Sequence, residues 1–185
     1  SLEQVNVHGV ENMIKIALEK GAKLIQISTT SIPGSHTDET YKINLKMYEN
    51  QHFVIDNMDN KYISSKYQAE CKIFSAIKDG LRAKVIRAGN LMGRFSDGEF
   101  QLNMTTNAFL NALRGFVTIG KCPIGHSTDP MSFSPIDLTA KAVVILAGTD
   151  DKFTAFHADS RYSFDEYMLI ESANRCGLDI KRIAD

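Results

Sequence analysis

Two short apolar segments, each preceded by a helical pattern and followed by a polar turn, constrain the fold of this chain most. Lys23–Ser28 and Ala83–Arg87 are mostly apolar, as are strands in a parallel sheet that is covered on both faces. Val5–Lys20 places apolar residues at helical spacing and is followed by Gly21, a residue that commonly ends helices. The order helix, strand, loop, helix, strand is half of a doubly wound α/β fold.

The segment between the two strands predicts a helix over Asp59–Asp79 that carries Tyr62 and Lys66 four residues apart. Side chains at this spacing leave the same face of a helix, one turn apart. A nearby ammonium group stabilises phenolate over phenol, so such a pair can protonate a carbonyl oxygen while hydride reaches its carbon. Two residues that merely share an exposed helix face give the same pattern, so the pair alone does not identify a function.

Buried faces can be predicted for both helices from the spacing of their apolar residues. We expect Gly80 to end the second helix. The residues expected to face inward are Val10, Met13, Ile14, Ala17 and Leu18 in the first helix and Ile63, Tyr67, Phe74 and Ile77 in the second.

Polar turns follow both predicted strands. Ser28–Gly34 carries several hydroxyl groups, and Ala88–Arg94 contains two glycines and an asparagine. Ligands of open parallel sheets lie just beyond the carboxyl ends of the strands. We therefore expect a ligand site where these two turns meet.

The remaining segments complete the predicted element order. They are a long loop over Ser35–Met58, a helix over Thr105–Leu113, a short strand over Phe116–Ile119, a polar loop to Met131, a helix over Pro135–Ala147, a strand over Thr154–His157, and a capping box at Ser163–Glu166 that opens a last helix to about Cys176.

Composition excludes several classes of function. The chain has 185 residues, 43% of them hydrophobic, which is the size of one domain or a little more. A net charge of −1 with no basic run argues against nucleic-acid binding, and no apolar run is long enough to cross a membrane. The three cysteines are far apart and odd in number, and no signal peptide is evident, so we expect reduced thiols and a cytoplasmic location.

Two motifs resemble ligand sites but are weak. Gly115–Cys122 nearly fits a phosphate-binding P-loop, yet it ends in Cys rather than Ser or Thr, and its apolar segment lies between the glycines. His36, Asp38 and Glu39 could chelate a metal, but mixed polar loops of this kind are usually only solvated. We therefore predict no metal site.

Taken together, the hydroxyl-rich turn, the Tyr-x-x-x-Lys helix and a strand ending in Arg-Ala-Gly-Asn resemble the extended short-chain dehydrogenase/reductases. Within that superfamily the sequence most resembles the terminal thioester reductase domains of nonribosomal peptide synthetases and carboxylic acid reductases. The segments that carry the resemblance are Asn6–Asn12, Ile27–Gly34, Gly89–Gln101, Gly120–Pro123 and Ser134–Ala140.

The resemblance implies the C-terminal portion of a doubly wound parallel-sheet (Rossmann) fold with a small substrate-binding subdomain. Residues 1–90 would be the C-terminal half of the NAD(P)-binding domain. Residues 91–152 would be mostly the substrate-binding subdomain, and residues 153–185 would supply the last Rossmann strand and a substrate-side helix.

The resemblance also implies the roles of individual residues. Tyr62 would be the general acid, Lys66 would be its partner and would hold the nicotinamide ribose, and Thr29 would hydrogen-bond the substrate carbonyl. Because Ser28 and Thr30 flank Thr29, that last assignment could shift by one residue. The remaining cofactor-binding positions implied by the resemblance are Ser28, Ala88, Gly89, Asn90 and Leu91.

The activity implied by the resemblance is NADPH-dependent reduction of a thioester to an aldehyde. The substrate would be an acyl or peptidyl chain on the phosphopantetheine arm of a carrier domain, and a second reduction would release an alcohol. Two alternatives stay open. One is a nucleotide-sugar epimerase or dehydratase, although Pro33 stands where those enzymes usually have Tyr, and the other is a non-catalytic Rossmann-like binding module.

The sequence departs from the family in one respect. It contains neither Gly-x-x-Gly-x-x-Gly nor Gly-x-Gly-x-x-Gly, the loop that holds the pyrophosphate of the dinucleotide. We therefore expect a C-terminal piece of a longer reductase that, alone, binds NADPH weakly and is inactive. We also expect strand Lys23–Ser28 to present an unpaired edge that a second copy or a swapped segment covers.

Overall fold

A computed structural model describes residues 1–32, 60–103, 105, 107–124 and 131–184. The predicted loop over Ser35–Met58 and the residues His36, Asp38 and Glu39 lie outside this part of the chain. After a π-helical turn at Gln4–His8, the helices are α1 Gly9–Lys20, α2 Lys61–Lys78, α3 Ala108–Ile119, α4 Ile136–Ala147 and α5 Glu166–Arg175. The strands are β1 Leu24–Thr29, β2 Ala83–Ala88, β3 Leu91–Met92, β4 Lys121–Pro123, β5 Met131–Ser132, β6 Ser134–Pro135, β7 Ala155–Ala158, β8 Ser163–Phe164 and β9 Lys181–Ile183.

The described residues form a central sheet of three parallel strands in the order β1-β2-β7. Its register places Ser28 beside Arg87 and Thr29 beside Ala88. All three strands were predicted, the first two from their apolar composition, and each lies within one residue of its expected position. The carboxyl ends of the three strands therefore meet at one edge, as the fold class requires.

Helices cover both faces of this sheet. All six residues of β2 are buried, which requires cover on each side because successive side chains point to opposite faces. On one side, apolar residues of α1 and α2 pack with Val85 in the largest core cluster, while α4 contacts β2 and β7. The predicted α/β class with a parallel sheet is confirmed.

Helix α1 ends where predicted but begins at Gly9 rather than Val5, because Gln4–His8 forms the π-helical turn, and it buries only part of the predicted apolar face. Gly21 ends the helix with φ 61°, and Val10 and Ala17 are buried. Met13 and Leu18, which were expected inside, are exposed. They lie on the side of α1 away from the core cluster, so the buried stripe is narrower than the apolar pattern.

Helix α2 likewise spans nearly the predicted range. Its most buried apolar residues include Ile73, which the apolar spacing did not single out, with Ala69 and Ala76 beside it. Ile63, Tyr67, Phe74 and Ile77, the residues expected inside, are partly buried.

The predicted strand Phe116–Ile119 is wrong, because these residues form the end of α3. Asn107 caps this helix by accepting a hydrogen bond from the Leu110 N–H, and Gly120 ends it in the left-handed conformation. Phe116 then packs against a small core of Cys122, Ile170 and Ile180. Gly115 lies within the helix, which also rules out a P-loop in this segment.

The capping box at Ser163–Glu166 is wrong in its details. Ser163 pairs in β8 with β5, and the residue that caps α5 is Asp165, whose carboxylate accepts from the Met168 N–H at 2.8 Å. With Asp165 as the N-cap, the helix begins at Glu166, two residues later than the motif suggests.

Among the described residues, no helix is both long enough and apolar enough to cross a membrane. Within the same residues β1 pairs on one side only, with β2, and Ile27 is 42% exposed along it.

Candidate active site at the carboxyl edge of the sheet

The first turn of α2 fixes the position of Tyr62. Asn60 is the N-cap residue, and its side-chain oxygen accepts hydrogen bonds from the backbone N–H groups of Tyr62 and Ile63 at 3.0 and 3.2 Å. The Tyr62 side chain is 43% exposed, and its hydroxyl makes no hydrogen bond to any described residue. The phenol therefore stands at the surface of the first turn, open to a ligand.

Lys66 connects α2 to the end of β1. Its ammonium nitrogen donates to the carbonyl oxygen of Ile27 at 3.4 Å. Partial burial lowers the pKa of Lys66, and the carboxylate of Glu70 opposes this by raising it. The cation is therefore placed beside the strand end that carries Ser28 and Thr29.

Two hydroxyl groups at the end of β1 have different partners. Thr29 is 8% exposed, and its hydroxyl donates to Ser31 Oγ at 3.2 Å and accepts from the Ser31 N–H at 3.1 Å. Ser28 is 5% exposed, and its hydroxyl has no hydrogen-bond partner among the described residues. A buried hydroxyl without a partner costs free energy, so Ser28 is a candidate to bind a ligand group.

A close approach of two chain segments shapes the turn after β2. A Cβ atom added to Gly89 would lie 1.8 Å from Asp159 Oδ1, so a side chain at this position would displace the Asp159 carboxylate. The Asp159 carboxylate also accepts from the Ser134 hydroxyl at 2.9 Å, and the Ser134 N–H donates to Asn90 O at 2.7 Å. These contacts tie the turn 88–91 to the ends of β6 and β7.

Beyond this turn lies a cavity of about 380 Å³. It is lined by residues of β3, the following loop and the start of α4, including Leu91, Met92, Arg94, Phe100 and Ile136. Asp137 holds this loop by accepting hydrogen bonds from the backbone of Phe95 and Ser96, and the Phe95 bond is the main reason that the pKa of Asp137 is lowered.

The structure brings most of the predicted site residues to one edge. Lys66 reaches β1 beside Ser28 and Thr29, and Thr29 pairs with Ala88 at the start of the turn that contains Gly89, Asn90 and Leu91. Tyr62 lies one turn before Lys66 on α2. Within the part of the chain that the structure describes, Tyr62 makes no hydrogen bond to Lys66 or Thr29.

These residues fit one part of a dinucleotide better than another. The unpartnered Ser28 hydroxyl, the Lys66 ammonium and the open Tyr62 phenol suit a nicotinamide and its ribose. The pyrophosphate lacks its usual glycine-rich loop in this sequence. Among the described residues, no cluster of three or more His, Cys, Asp or Glu side chains could hold a metal ion.

Sequence reasoning missed the charged and polar residues behind the site. Glu70 and Arg87 form a buried ion pair between α2 and β2, and Asp159 fills the space beside Gly89. One signal was available for Glu70, namely its position four residues after Lys66 on the same helix face.

Comparisons with known proteins identify relatives of this chain. The chain is similar to a thiolation-reductase di-domain from an archaeal nonribosomal peptide synthetase, with 33% identity, a TM-score of 0.83, and coverage of 98% of this chain and 49% of that one. It is 23% identical to a linear gramicidin synthase polypeptide of Brevibacillus parabrevis, over 99% of this chain and 4% of that protein. It is 27% identical to the large subunit of the L-2-aminoadipate reductase of Candida glabrata, over 90% of this chain and 13% of that protein.

The chain thus spans about half the length of the solved di-domain and a small part of each curated relative. The resemblance to thioester reductase domains that the sequence suggested is confirmed by these similarities. A family model matches residues 1–143, which is more than half of the sequence. The chain therefore belongs to the NAD-binding family described as "Male sterility protein".

Proposed function

We propose that this sequence belongs to an NADPH-dependent reductase that acts on carrier-bound acyl or peptidyl thioesters. The observation that carries the proposal is the bond from Lys66 to Ile27 O, which places the Tyr62 and Lys66 face of α2 beside Ser28 and Thr29. The similarity to a thiolation-reductase di-domain supports the substrate class, because a thiolation domain is itself a carrier.

The chemistry follows from the roles proposed for three side chains. When bound, the reduced nicotinamide supplies hydride to the thioester carbonyl carbon. The Thr29 hydroxyl donates to the carbonyl oxygen, which requires its bond to Ser31 to be exchanged for one to the substrate. Tyr62 protonates the developing alkoxide, and Lys66 stabilises the phenolate that remains.

The product of that step is a hemithioacetal, formed by one hydride and one proton. It collapses by breaking its carbon–sulfur bond, which gives an aldehyde and returns the free thiol of the pantetheine arm. A second hydride and proton would give the alcohol. We propose that Ser28 and the backbone of Ala88, Gly89, Asn90 and Leu91 contact the nicotinamide side of the cofactor.

We also propose which subdomain each part of the chain belongs to. Residues 1–90 form the C-terminal half of the NAD(P)-binding domain, and residues 91–152 are mostly the substrate-binding subdomain. Residues 153–185 contribute the last Rossmann strand and a substrate-side helix. The cavity beside Leu91 and Ile136 supports this division, because it adjoins the cofactor edge and lies within the middle segment.

We further propose that the open edge of β1 is covered in solution when this 185-residue chain is studied alone. A second copy, forming a homodimer or a swapped assembly, is the proposed cover, because β1 pairs on one side only among the described residues. Light scattering coupled to gel filtration tests this. A stable monomer whose β1 amides exchange rapidly with solvent would contradict it.

The test of function follows NADPH oxidation by the natural polypeptide that contains this sequence. An acyl-pantetheine thioester and a nucleotide sugar are compared as substrates, and aldehyde formation is measured directly. We expect turnover of the thioester only. Turnover of the nucleotide sugar would favour the epimerase-type alternative, and the absence of any turnover would favour a binding module.

Tyr62→Phe is the matched variant for this assay. Removing the hydroxyl should lower kcat by about 100-fold or more, the range expected for a general acid, while NADPH affinity stays nearly unchanged. Tyr67→Phe is the control, because Tyr67 lies on the same helix and is partly buried. A wild-type rate for Tyr62→Phe would rule out the proposed role.

A further inference from the structure

Glu70 and Arg87 form an ion pair with both side chains fully enclosed, at 1% and 0% exposure. The contact is bidentate, since Arg87 Nε donates to Glu70 Oε1 at 3.0 Å and Arg87 Nη2 donates to Glu70 Oε2 at 2.7 Å. Every other ion pair between described residues has at least one exposed partner. This pair therefore differs in kind from the rest.

Stability alone is a poor explanation for such a pair. Removing two charges from water is costly, and the attraction between them often only offsets that cost. Buried pairs of similar volume can be replaced by apolar residues with little loss of stability, whereas removing one partner is strongly destabilising. What the pair does provide is a fixed geometry, because a bidentate guanidinium–carboxylate contact restricts both distance and rotation.

The pair lies directly behind the proposed site. Glu70 follows Lys66 by four residues and Tyr62 by eight, so all three lie along one face of α2. Arg87 is the residue of β2 immediately before Ala88 and lies in register with Ser28 of β1. The contact thus joins the helix that carries the proposed acid to the strand ends that border the proposed cofactor edge.

We propose that Glu70 and Arg87 are positioning residues, which fix the depth and rotation of α2 so that Lys66 meets the end of β1 and Tyr62 faces the carboxyl edge of the sheet. The inference rests on the proposed function for its catalytic consequence, but not for its structural one. The Glu70 carboxylate also favours the charged form of Lys66, which is the form that the proposed mechanism needs.

The decisive variant replaces both charges at once. Glu70→Met combined with Arg87→Met keeps side-chain volume without leaving a lone buried charge, so the urea midpoint should stay close to that of the wild type. If this variant does not fold, Glu70→Gln combined with Arg87→Met tests the same point with a better-matched shape. Asp151→Asn is the control, because it breaks an ion-pair cluster around Lys23 and Arg82 at the opposite end of the sheet.

Two measurements separate positioning from a purely structural role. The first is the NMR signal of ¹³C-methylated Lys66, assigned with Lys66→Arg and recorded on the 185-residue chain. We expect it to move toward the position of exposed lysines in the neutral double variant and to stay in place in Asp151→Asn. The second is turnover of the acyl-pantetheine thioester by the natural polypeptide, where kcat should fall at least about tenfold with KM little changed.

The outcomes are distinct. A folded double variant with an unchanged Lys66 signal overturns the positioning role. A displaced Lys66 signal supports that role even if no thioester is reduced by any form of the protein, a result that would instead reject the proposed function. A displaced signal with an unchanged kcat overturns the catalytic consequence.

Discussion

At the scale of single residues, Cys122 shows how burial controls chemistry in this protein. Its side chain is 1% exposed, and its sulfur lies 3.1 Å from Glu166 Oε1. Burial, followed by the hydrogen bond to the Glu166 carboxylate, raises the pKa of the thiol to about 11. The thiol therefore stays protonated near neutral pH and donates to the carboxylate.

We predict that Cys122 resists alkylation in the folded protein. Treated with iodoacetamide at about pH 8 and analysed by peptide mass spectrometry, exposed Cys176 should be modified first and Cys122 only after unfolding, because the thiolate is the reactive form. The raised pKa contributes stability that is present below the usual thiol pKa and is lost as the pH rises through about 11. Equal rates for Cys122 and Cys176 would contradict this.

At the scale of elements, the first turn of α2 decides where Tyr62 stands. The Asn60 cap satisfies two backbone N–H groups that would otherwise lack partners at the helix start. Because Tyr62 is itself one of the capped residues, the stability of the helix start and the geometry of the site both depend on the Asn60 side chain.

We predict that Asn60→Ala lowers the free energy of unfolding by about 1 kcal/mol, the usual effect of losing an N-cap. Asn60→Asp should retain most of the stability, since a carboxylate oxygen can accept the same bonds. Urea unfolding followed by circular dichroism measures both variants. If Asn60→Ala matched the wild type, the cap would have no energetic role.

At the opposite end of the sheet, Asp151 links the starts of β1 and β2. Its carboxylate contacts Lys23 at 2.6 Å and Arg82 at 2.8 Å, and these bonds, led by the one from Lys23, lower its pKa to about 2. Because the pKa is depressed on folding, the carboxylate stabilises the fold above its ordinary pKa. That stabilisation is lost as the pH falls through about 2.

We predict that Asp151→Asn lowers the urea midpoint near neutral pH and that the difference from the wild type shrinks as the pH falls from about 4 toward about 2. Urea titrations at several pH values measure this. Lys152→Gln is a matched surface control, because Lys152 is exposed and only weakly paired at 3.9 Å. A constant difference at every pH would show that the carboxylate charge is not responsible.

Apolar pattern predicts the elements around the site well because strands buried on both faces leave a clear signal. The same reasoning failed at Phe116–Ile119, whose aromatic and β-branched residues suit a strand. There α3 continues to Ile119, and Phe116 packs from it against the small core around Cys122. Tertiary packing overrode local propensity at this element.

At the scale of the whole molecule, the site is a meeting of strand ends that are distant in sequence. The positions of Ser28, Thr29, Tyr62 and Lys66 could be proposed from the sequence because their residue types follow predicted strands or share a helix face. The buried pairing of Glu70 with Arg87 could not, since charged residues are normally exposed and the spacing of Glu70 from Lys66 indicates only a shared helix face. The contact of Asp159 with Gly89 likewise depends on a segment 70 residues away.

The central claim is that the carboxyl edge of β1 and β2 receives a nicotinamide cofactor, and an NMR titration of this chain with NADPH tests it most directly. We predict weak binding, with a Kd above the micromolar range because the glycine-rich loop is absent. The amide shifts should be confined to residues 28–30, 62–66 and 88–91, while those around Lys84 and Asp151 stay unchanged. A micromolar Kd, or shifts centred on the opposite end of the sheet, would contradict the account.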